Sequence, residues 1–264
     1  MKVATWNVNG IRARSSQVVH WIDGEEPDLV CLQEIKASAA QVPEPLASIA
    51  GYHAYWHGSG GYSGVALLVR ARAFAEQPAF GHPPFDHECR IVVAELGRLV
   101  VASVYVPNGG KDFAAKIAFL RELAAWVGAI TAAGKLLVLC GDLNVARAPI
   151  DVHPMLRKDM VGQSAEERAL LDGVFAHGLV DVGRLVDPDN DRLFTWWAPW
   201  RNLRQRNIGW RLDYIAASHP LTEGAITCKS YRLVGTSDHA PVIAHLNLPV
   251  AELQSAEHGD KAGA

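Results

Sequence analysis

Residues 136–144 read LLVLCGDLN. The five apolar residues 136–140 have the length of a buried strand, and Gly141 then breaks the run. Asp142 and Asn144 follow, two positions apart. Residues i and i+2 of an extended chain point to the same side, so a chain leaving a sheet here aims a carboxylate and an amide at one spot. That pairing suits a hard cation, an activated water or a phosphate. A Gly-Asp pair after a strand also makes an ordinary turn, so the rest of the chain has to decide between the two readings.

At 264 residues and 49% hydrophobic, the chain can bury a large core, as one domain or two intimately packed halves. Charged residues make up 20% and the net charge is −3, so a nucleic-acid partner, if there is one, must be met by a local basic face rather than by the total. Cys31, Cys89, Cys140 and Cys228 are far apart with no CxxC pair, which argues against a disulfide framework and a structural zinc site and suits a reducing cytoplasm. The N-terminus MKVATWNVNG has no apolar core region or cleavage site, and no apolar run approaches the ~18–20 residues of a membrane span. The expectation is a soluble, cytoplasmic protein that uses no membrane.

Along the chain, residues 2–6 predict a strand. Ser15 or Ser16 can cap a short helix that carries Val18, Val19 and Ile22 and stops at Pro27. Residues 29–32 predict a second strand, 51–64 a loop and 65–69 a third strand. Residues 91–95 and 99–106 form a hairpin around Gly97. Phe113, Ile117, Leu120, Leu123, Val127 and Ile130 recur at helical spacing over 112–132, with Gly134 as the stop. Ser164 and Glu167 make a capping box for another helix, which Gly178 ends. Strands follow at 211–217 and 241–248. Strands and helices mix throughout with no linker, so the expected organisation is an α/β fold in one domain, 1–250, with either one mixed sheet or two packed sheets; residues 251–264, small and polar, read as a flexible tail.

One arrangement recurs. An apolar strand ends, and a group able to bind metal or phosphate stands at its end: Asn7, Glu34, Tyr105 with Asn108, Asp142 with Asn144, and Asp238 with His239. Asp213 is similar, between Leu212 and Tyr214. Any one of these reads as a turn or cap, but ligand sites gather where strands stop, and so many together are hard to dismiss. The set holds carboxylates, amides, one phenol and one imidazole but no thiol, so it points to Mg²⁺ or Mn²⁺ rather than zinc or copper. Asp213 also reads as a buried strand aspartate bonded to backbone, although an apolar strand seldom buries an unpaired carboxylate.

These residues sit in motifs that match, in order, those of a known family. WNVNG from Trp6, LQE ending at Glu34, YVPNG from Tyr105, GDLN around Asp142, NIGWRLDY ending at Tyr214 and SDHAPV around Asp238 resemble the exonuclease III family of AP endonucleases, in the endonuclease/exonuclease/phosphatase superfamily. The resemblance runs to about Leu248. It implies a four-layer α/β sandwich of two packed mixed β-sheets flanked by helices, with the site at one end. By motif, Glu34 resembles the principal Mg²⁺ ligand, assisted by Asn7 and Asp238, with Asp142, Asn144 and His239 beside the metal. Asp142 resembles the residue that orients or deprotonates the attacking water. His239, held by Asp213, would meet the scissile phosphate as a donor, and Tyr105 and Asn108 would bind phosphate oxygens or assist the leaving group.

The substrate side is carried by four of the eight tryptophans, Trp196, Trp197, Trp200 and Trp210, within fifteen residues. Arg201, Arg204, Arg206 and Arg211 lie among them, with no acidic residue over 193–212, as a basic aromatic face for DNA requires. FTWW at 194–197 also reads as a core strand. The resemblance places Trp196, Trp210 and Leu212 around a flipped-out abasic sugar. It places Lys111 and Trp200 where side chains enter the duplex, and Arg12, Tyr62, Arg90 and Asn207, each read as exposed, along the backbone. Two departures stand out. Asn9 occupies a position that is aspartate in some members, and Cys89 replaces a glycine before Arg90. The expected function is a Mg²⁺-dependent, monomeric DNA repair nuclease that cuts double-stranded DNA 5′ to abasic sites and works on blocked 3′ ends, with 3′→5′ exonuclease or 3′-phosphodiesterase activity. The alternatives are a phosphodiesterase or phosphatase acting on a non-DNA substrate, and a catalytically silent DNA-binding relative.

Overall fold

The structure, a computed structural model, describes residues 1–224 and 226–248; the expected tail, 251–264, lies outside the described residues. The chain lays down β1 (Lys2–Asn7), β2 (Leu29–Gln33), β3 (Tyr52–His57) and β4 (Val65–Arg70), then β5 (Ala79–Gly81), β6 (Ile91–Leu96), β7 (Leu99–Tyr105), β8 (Leu136–Asp142), β9 (Leu179–Asp181) and β10 (Asp213–Ser218). It then returns with β11 (Thr227–Ser230) and β12 (Val242–His245). The first sheet has the order β11-β12-β1-β2-β4-β3 and the second β5-β6-β7-β8-β10-β9. Each sheet is mixed, with a single parallel pair: β1 with β2 and β7 with β8. A parallel pair needs a crossover, and α1 (Ile11–Glu25) and, after the short α2 (Glu44–Ala47), α3 (Phe113–Ala132) supply the two.

The sheets pack face to face, and the side chains of alternate residues sort into layers. Leu29, Cys31, Val65, Leu67 and Val69 meet Val92, Val101, Val138, Cys140 and Ile215 between the sheets. Val30, Leu32, Ala66 and Leu68 face outward onto Val18, Trp21 and Ile22 of α1. On the other side Val100, Ala102, Leu137 and Leu139 face α3 and α4 (Ala165–Phe175). Strands covered on both faces need apolar residues at nearly every position, which is why 65–69 of β4 and 136–140 of β8 are continuous apolar runs and β7 is interrupted only by Ser103 before its terminal Tyr105. The result is the expected four-layer sandwich. Gln33 bridges the two sheets: its side chain accepts from Thr5 at 3.2 Å and donates to Ser103 at 3.1 Å.

Several local expectations are corrected. The first helix starts at Ile11 rather than at Ser15 or Ser16, because the N–H groups of Gly10 and Ile11 are taken by the carbonyls of Glu34 and Ile35 (2.7 and 2.9 Å). The loop expected over 51–64 contains β3, an edge strand of half-buried aromatic and histidine residues that lacks an apolar run but pairs with the whole of β4. Phe194 and Trp197 are buried, yet 194–197 forms only isolated bridges, Trp196 to Trp210 and Trp196 to His239. Of the two short helices, α5 (Val182–Val186) follows β9 directly, with Asp181 as its cap, and α6 (Leu203–Arg206) follows a local turn. The helix capped by Ser164 and Glu167 is found with both halves of its capping box.

Gly141 does not break the organising strand. It stays in β8, opposite Tyr214 of β10, with φ 144°, and a Cβ there would lie 1.9 Å from the Val104 carbonyl oxygen. The glycine is needed for close approach of two backbones. Gly141→Ala is expected to lower the urea midpoint by the equivalent of about 3 kcal/mol or more; a midpoint unchanged from the parent would contradict this packing.

Candidate active site

The parallel and antiparallel registers bring polar strand ends to one edge. Asp142 lies opposite Asp213 on β10 and opposite Tyr105 on β7. In the other sheet Asn7 ends β1 beside Gln33, and Glu34 follows β2 with φ 49°. Between the sheets these ends meet: Asn7 Nδ2 donates to Glu34 Oε1 and to Asp142 Oδ2, both at 2.9 Å. The two-apart geometry read from the sequence holds, since the Asn144 N–H donates to Asp142 Oδ1 at 3.0 Å and its Nδ2 to Oδ2 at 3.3 Å. Asn108 donates to Asn144 Oδ1 at 3.3 Å.

His239 stands against the same carboxylate. Its Nδ1 is 2.9 Å from Asp213 Oδ2, and its Nε2 is 3.7 Å from Asp142 Oδ2. Burial opposes a charge on this ring, but Asp213 and Asp142 outweigh it and push the imidazole up to about 10, so it is a cation at neutral pH. Asp213 Oδ1, also buried, has no hydrogen-bond partner, leaving this carboxylate to His239. Burial, together with Asp213 and Glu34 nearby, pushes Asp142 up to about 7 against the pull of His239. The Tyr105 phenol is pushed up by burial and by Glu34 and Asp142, and so remains a proton donor. Glu34, although buried, is held below the usual carboxylate range by hydrogen bonds from Asn7 and Lys36.

Glu34, Asp142 and His239 each offer a ligand atom, all within 4.8 Å of one another. Glu34 and Asp142 supply hard oxygens, which fit a cation of the Mg²⁺ or Mn²⁺ kind, while His239, protonated, stands beside it as a donor. The Lys36 ammonium pairs with Glu34 Oε2 at 2.8 Å and the Asn7 amide donates to Oε1, so the carboxylate already holds one cation and one neutral donor. Asp238 lines the same cavity but is not among the three residues whose ligand atoms lie within 4.8 Å of one another. Its Oδ1 accepts from Asn9 at 2.8 Å and its Oδ2 from the Trp196 indole at 3.0 Å, tying it to the cavity wall. Asn9 in turn accepts from Lys36 at 2.6 Å.

A cavity of about 870 Å³ opens over these groups. Glu34, Tyr105, Asp142 and His239 lie on its polar side, and Trp196, Trp210 and Leu212 on its apolar side. Trp196 and Trp210 meet edge to face with ring centroids 5.7 Å apart. Trp200 lies at the rim and is 60% exposed. Arg12, Lys111 and Arg206 are exposed, and so is Tyr62. Arg90 and Asn207 are not. Asn207, expected to be exposed as a polar side chain, is buried because its amide accepts from Trp197 and donates to the Arg192 carbonyl. Arg90 is buried between the Tyr62 and Tyr105 rings, bonded to Tyr62 Oη at 2.9 Å. Cys89, before it, adopts φ 55°, the conformation for which a glycine was expected.

Two of the four arginines in the basic segment turn inward. Arg211 pairs with Asp151 and Asp181 in the interior, and Arg204 caps the carbonyls of Arg232, Val234 and Ser237. The sequence reading also missed three contributors. Lys36 was findable two residues after Glu34. Met155, Arg157, Lys158 and Met160 line the cavity, and their segment, MLRKDM, carries two of the three methionines in a basic context. Lys116 forms a fully buried ion pair with Glu167 at 2.5 Å and donates to the carbonyls of Asn144 and Asn108 at 2.7 and 3.1 Å, fastening both strand-end loops. No local signal marks a lysine on a helix as buried.

The model of the endonuclease/exonuclease/phosphatase family matches residues 4–239. Recombination repair protein 1 of Drosophila melanogaster is 34% identical over 94% of the chain, which spans 37% of that longer protein. An exodeoxyribonuclease of Bacillus subtilis is 33% identical over 94% of the chain and all of its own length. The structure of an AP endonuclease from Archaeoglobus fulgidus superposes with a TM-score of 0.83 at 32% identity, covering 94% of this chain and 100% of that one. The 3′ phosphatase NExo from Neisseria, bound to a product DNA hairpin, gives a TM-score of 0.84 at 30% identity with the same coverage. The chain thus belongs to the endonuclease/exonuclease/phosphatase family, as a hydrolytic nuclease of the exonuclease III and AP endonuclease kind.

Proposed function

We propose that this chain, as a monomer, hydrolyses the phosphodiester 5′ to abasic sites in double-stranded DNA, and that it trims blocked 3′ ends. The observation that carries the reading is the cavity itself, where an indole wall faces a floor of carboxylates, a phenol and an imidazolium. Its walls suit a sugar that has lost its base, which flips out of the stack at least cost.

Glu34, with Asn7 and Asp142, would hold Mg²⁺ or Mn²⁺, which when bound neutralises charge on the phosphate oxygens. Asp142, fixed by the Asn7 amide and the Asn144 N–H, positions the attacking water and accepts its proton. His239, kept cationic by Asp213, donates to a non-bridging oxygen as negative charge develops. Tyr105 keeps its proton and is available to the leaving oxygen. Asp238 orients the pocket wall through the Trp196 indole. Lys111, Trp200 and Arg206 are exposed side chains suited to the duplex.

A duplex carrying one abasic-site analogue tests this directly. Incision is expected with Mg²⁺ and is abolished by EDTA; incision unaffected by EDTA would overturn the metal assignment. A second reading, removal of 3′ phosphate, is favoured by the similarity to the Neisseria 3′ phosphatase. A 3′-phosphate hairpin turned over in preference to the abasic duplex would select it.

A further inference from the structure

A second group of metal-ligating side chains lies where the open edges of the two sheets meet. His57 is the last residue of β3, the edge of the first sheet, and His82 follows β5, the edge of the second. Asp86 comes from the connection between β5 and β6. One ligand atom from each of the three lies within 4.8 Å of the other two. His57 Nε2 is 2.6 Å from Asp86 Oδ2, and the two imidazoles stack with centroids 4.4 Å apart and planes 14° from parallel.

The set has features of a site rather than of a solvated cluster. The Asp86 side chain is fully buried, and its other oxygen accepts the Arg90 backbone N–H at 2.8 Å, which fixes the carboxylate. His82 is exposed, so leaving its stack on His57 to turn toward a shared centre meets only solvent on its outer side. One step inward the seam is closed by the stacked rings of Tyr55 and Phe80, centroids 5.5 Å apart. A three-residue set of two imidazoles and one carboxylate leaves a fourth position for water. It is softer than the oxygen-rich cluster in the cavity and favours a borderline divalent ion such as Zn²⁺ over Mg²⁺. Bonds of about 2.0–2.2 Å would draw the donors closer together than they now stand, a change that rotation of His82 can supply.

We propose that His57, His82 and Asp86 form a second, Zn²⁺-class metal site, separate from the cavity, that clasps the two sheet edges and stiffens the connection carrying Arg90. Arg90 lies over the Tyr105 ring at 4.9 Å and the Tyr62 ring at 5.4 Å, so the clasp sits at the base of one cavity support.

The test uses the full chain carrying Glu34→Gln and Asp142→Ala, so that the cavity cluster does not compete, with Co²⁺ as the spectroscopic stand-in. One equivalent of Co²⁺ is expected, with the visible absorption of a low-coordinate N/O site, displaced by Zn²⁺. His82→Ala, at an exposed position, is expected to abolish that binding without changing the circular dichroism. In the otherwise unmodified chain, the same substitution should lower bound Zn²⁺ by one equivalent and remove the rise in melting temperature that Zn²⁺ produces. Absence of any bound Co²⁺ or Zn²⁺ in the Glu34→Gln/Asp142→Ala chain, or binding that persists after His82→Ala, would overturn the assignment.

Discussion

Asp142→Ala is expected to lower kcat/KM for incision of an abasic duplex by about 10²–10⁴. The loss should fall on kcat, with duplex affinity retained, because Asp142 lies on the cavity floor and the exposed basic residues are elsewhere. Asparagine is a poor conservative control at this position. Asp142 is surrounded by donors, from the Asn7 amide and from the Asn144 N–H and amide, so a side-chain NH₂ would face another donor. Thermal melting separates chemistry from folding. Burial pushes this carboxyl up to about 7, above its ordinary value near 3.8. The folded state therefore binds the proton more tightly than the unfolded one, and the group weakens folding as pH rises through that interval. Alanine removes that burden but leaves the Asn7 and Asn144 donors unpaired, so the melting temperature is expected to fall by no more than a few degrees at neutral pH. Single-turnover incision within tenfold of the parent would sink the water-positioning role; lost activity with a collapsed melting curve would assign Asp142 to folding.

Arg211→Ala is expected to act in the opposite way. The guanidinium bonds to Asp151 at 2.7 Å through Nε and to Asp181 at 2.8 and 2.7 Å through Nη1 and Nη2, with 3% of the side chain exposed. It also lies 4.4 Å over the Tyr214 ring. Its removal leaves two buried carboxylates short of a partner, although Arg184 still reaches Asp151 at 2.6 Å. Breaking a buried pair from one side costs about 3–5 kcal/mol, which corresponds to roughly 10 °C in melting temperature for a chain of this size. The salt dependence of duplex binding should stay unchanged, whereas Arg206→Ala, at an exposed position, should reduce its slope. A normal melting temperature with a reduced slope for Arg211→Ala would return this arginine to the DNA face.

These two residues mark the boundary between what can be read locally and what cannot. Asp142 was legible because its signal is local: an apolar run buried on both faces, then a carboxylate and an amide two apart on an extended chain. The helices over 113–132 and 165–175 were legible for the same reason, as was the layered α/β class. β3 was not, since an edge strand of aromatics and histidines lacks the apolar run that marks a buried one.

The sequence by itself determined which strand ends carry polar oxygen groups and which segment gathers tryptophan and arginine. Only the tertiary structure decided which of those groups share a space. Asn7 and Glu34 reach Asp142 because two sheets pack face to face, a relation between residues more than a hundred positions apart. Arg211 looked like part of a basic face because charge along a chain carries no direction. It turns inward because neighbours on an extended chain point to opposite sides: Trp210 and Leu212 take the cavity, leaving Arg211 facing Asp151 and Asp181 in a dry interior, where only an ion pair can hold its charge.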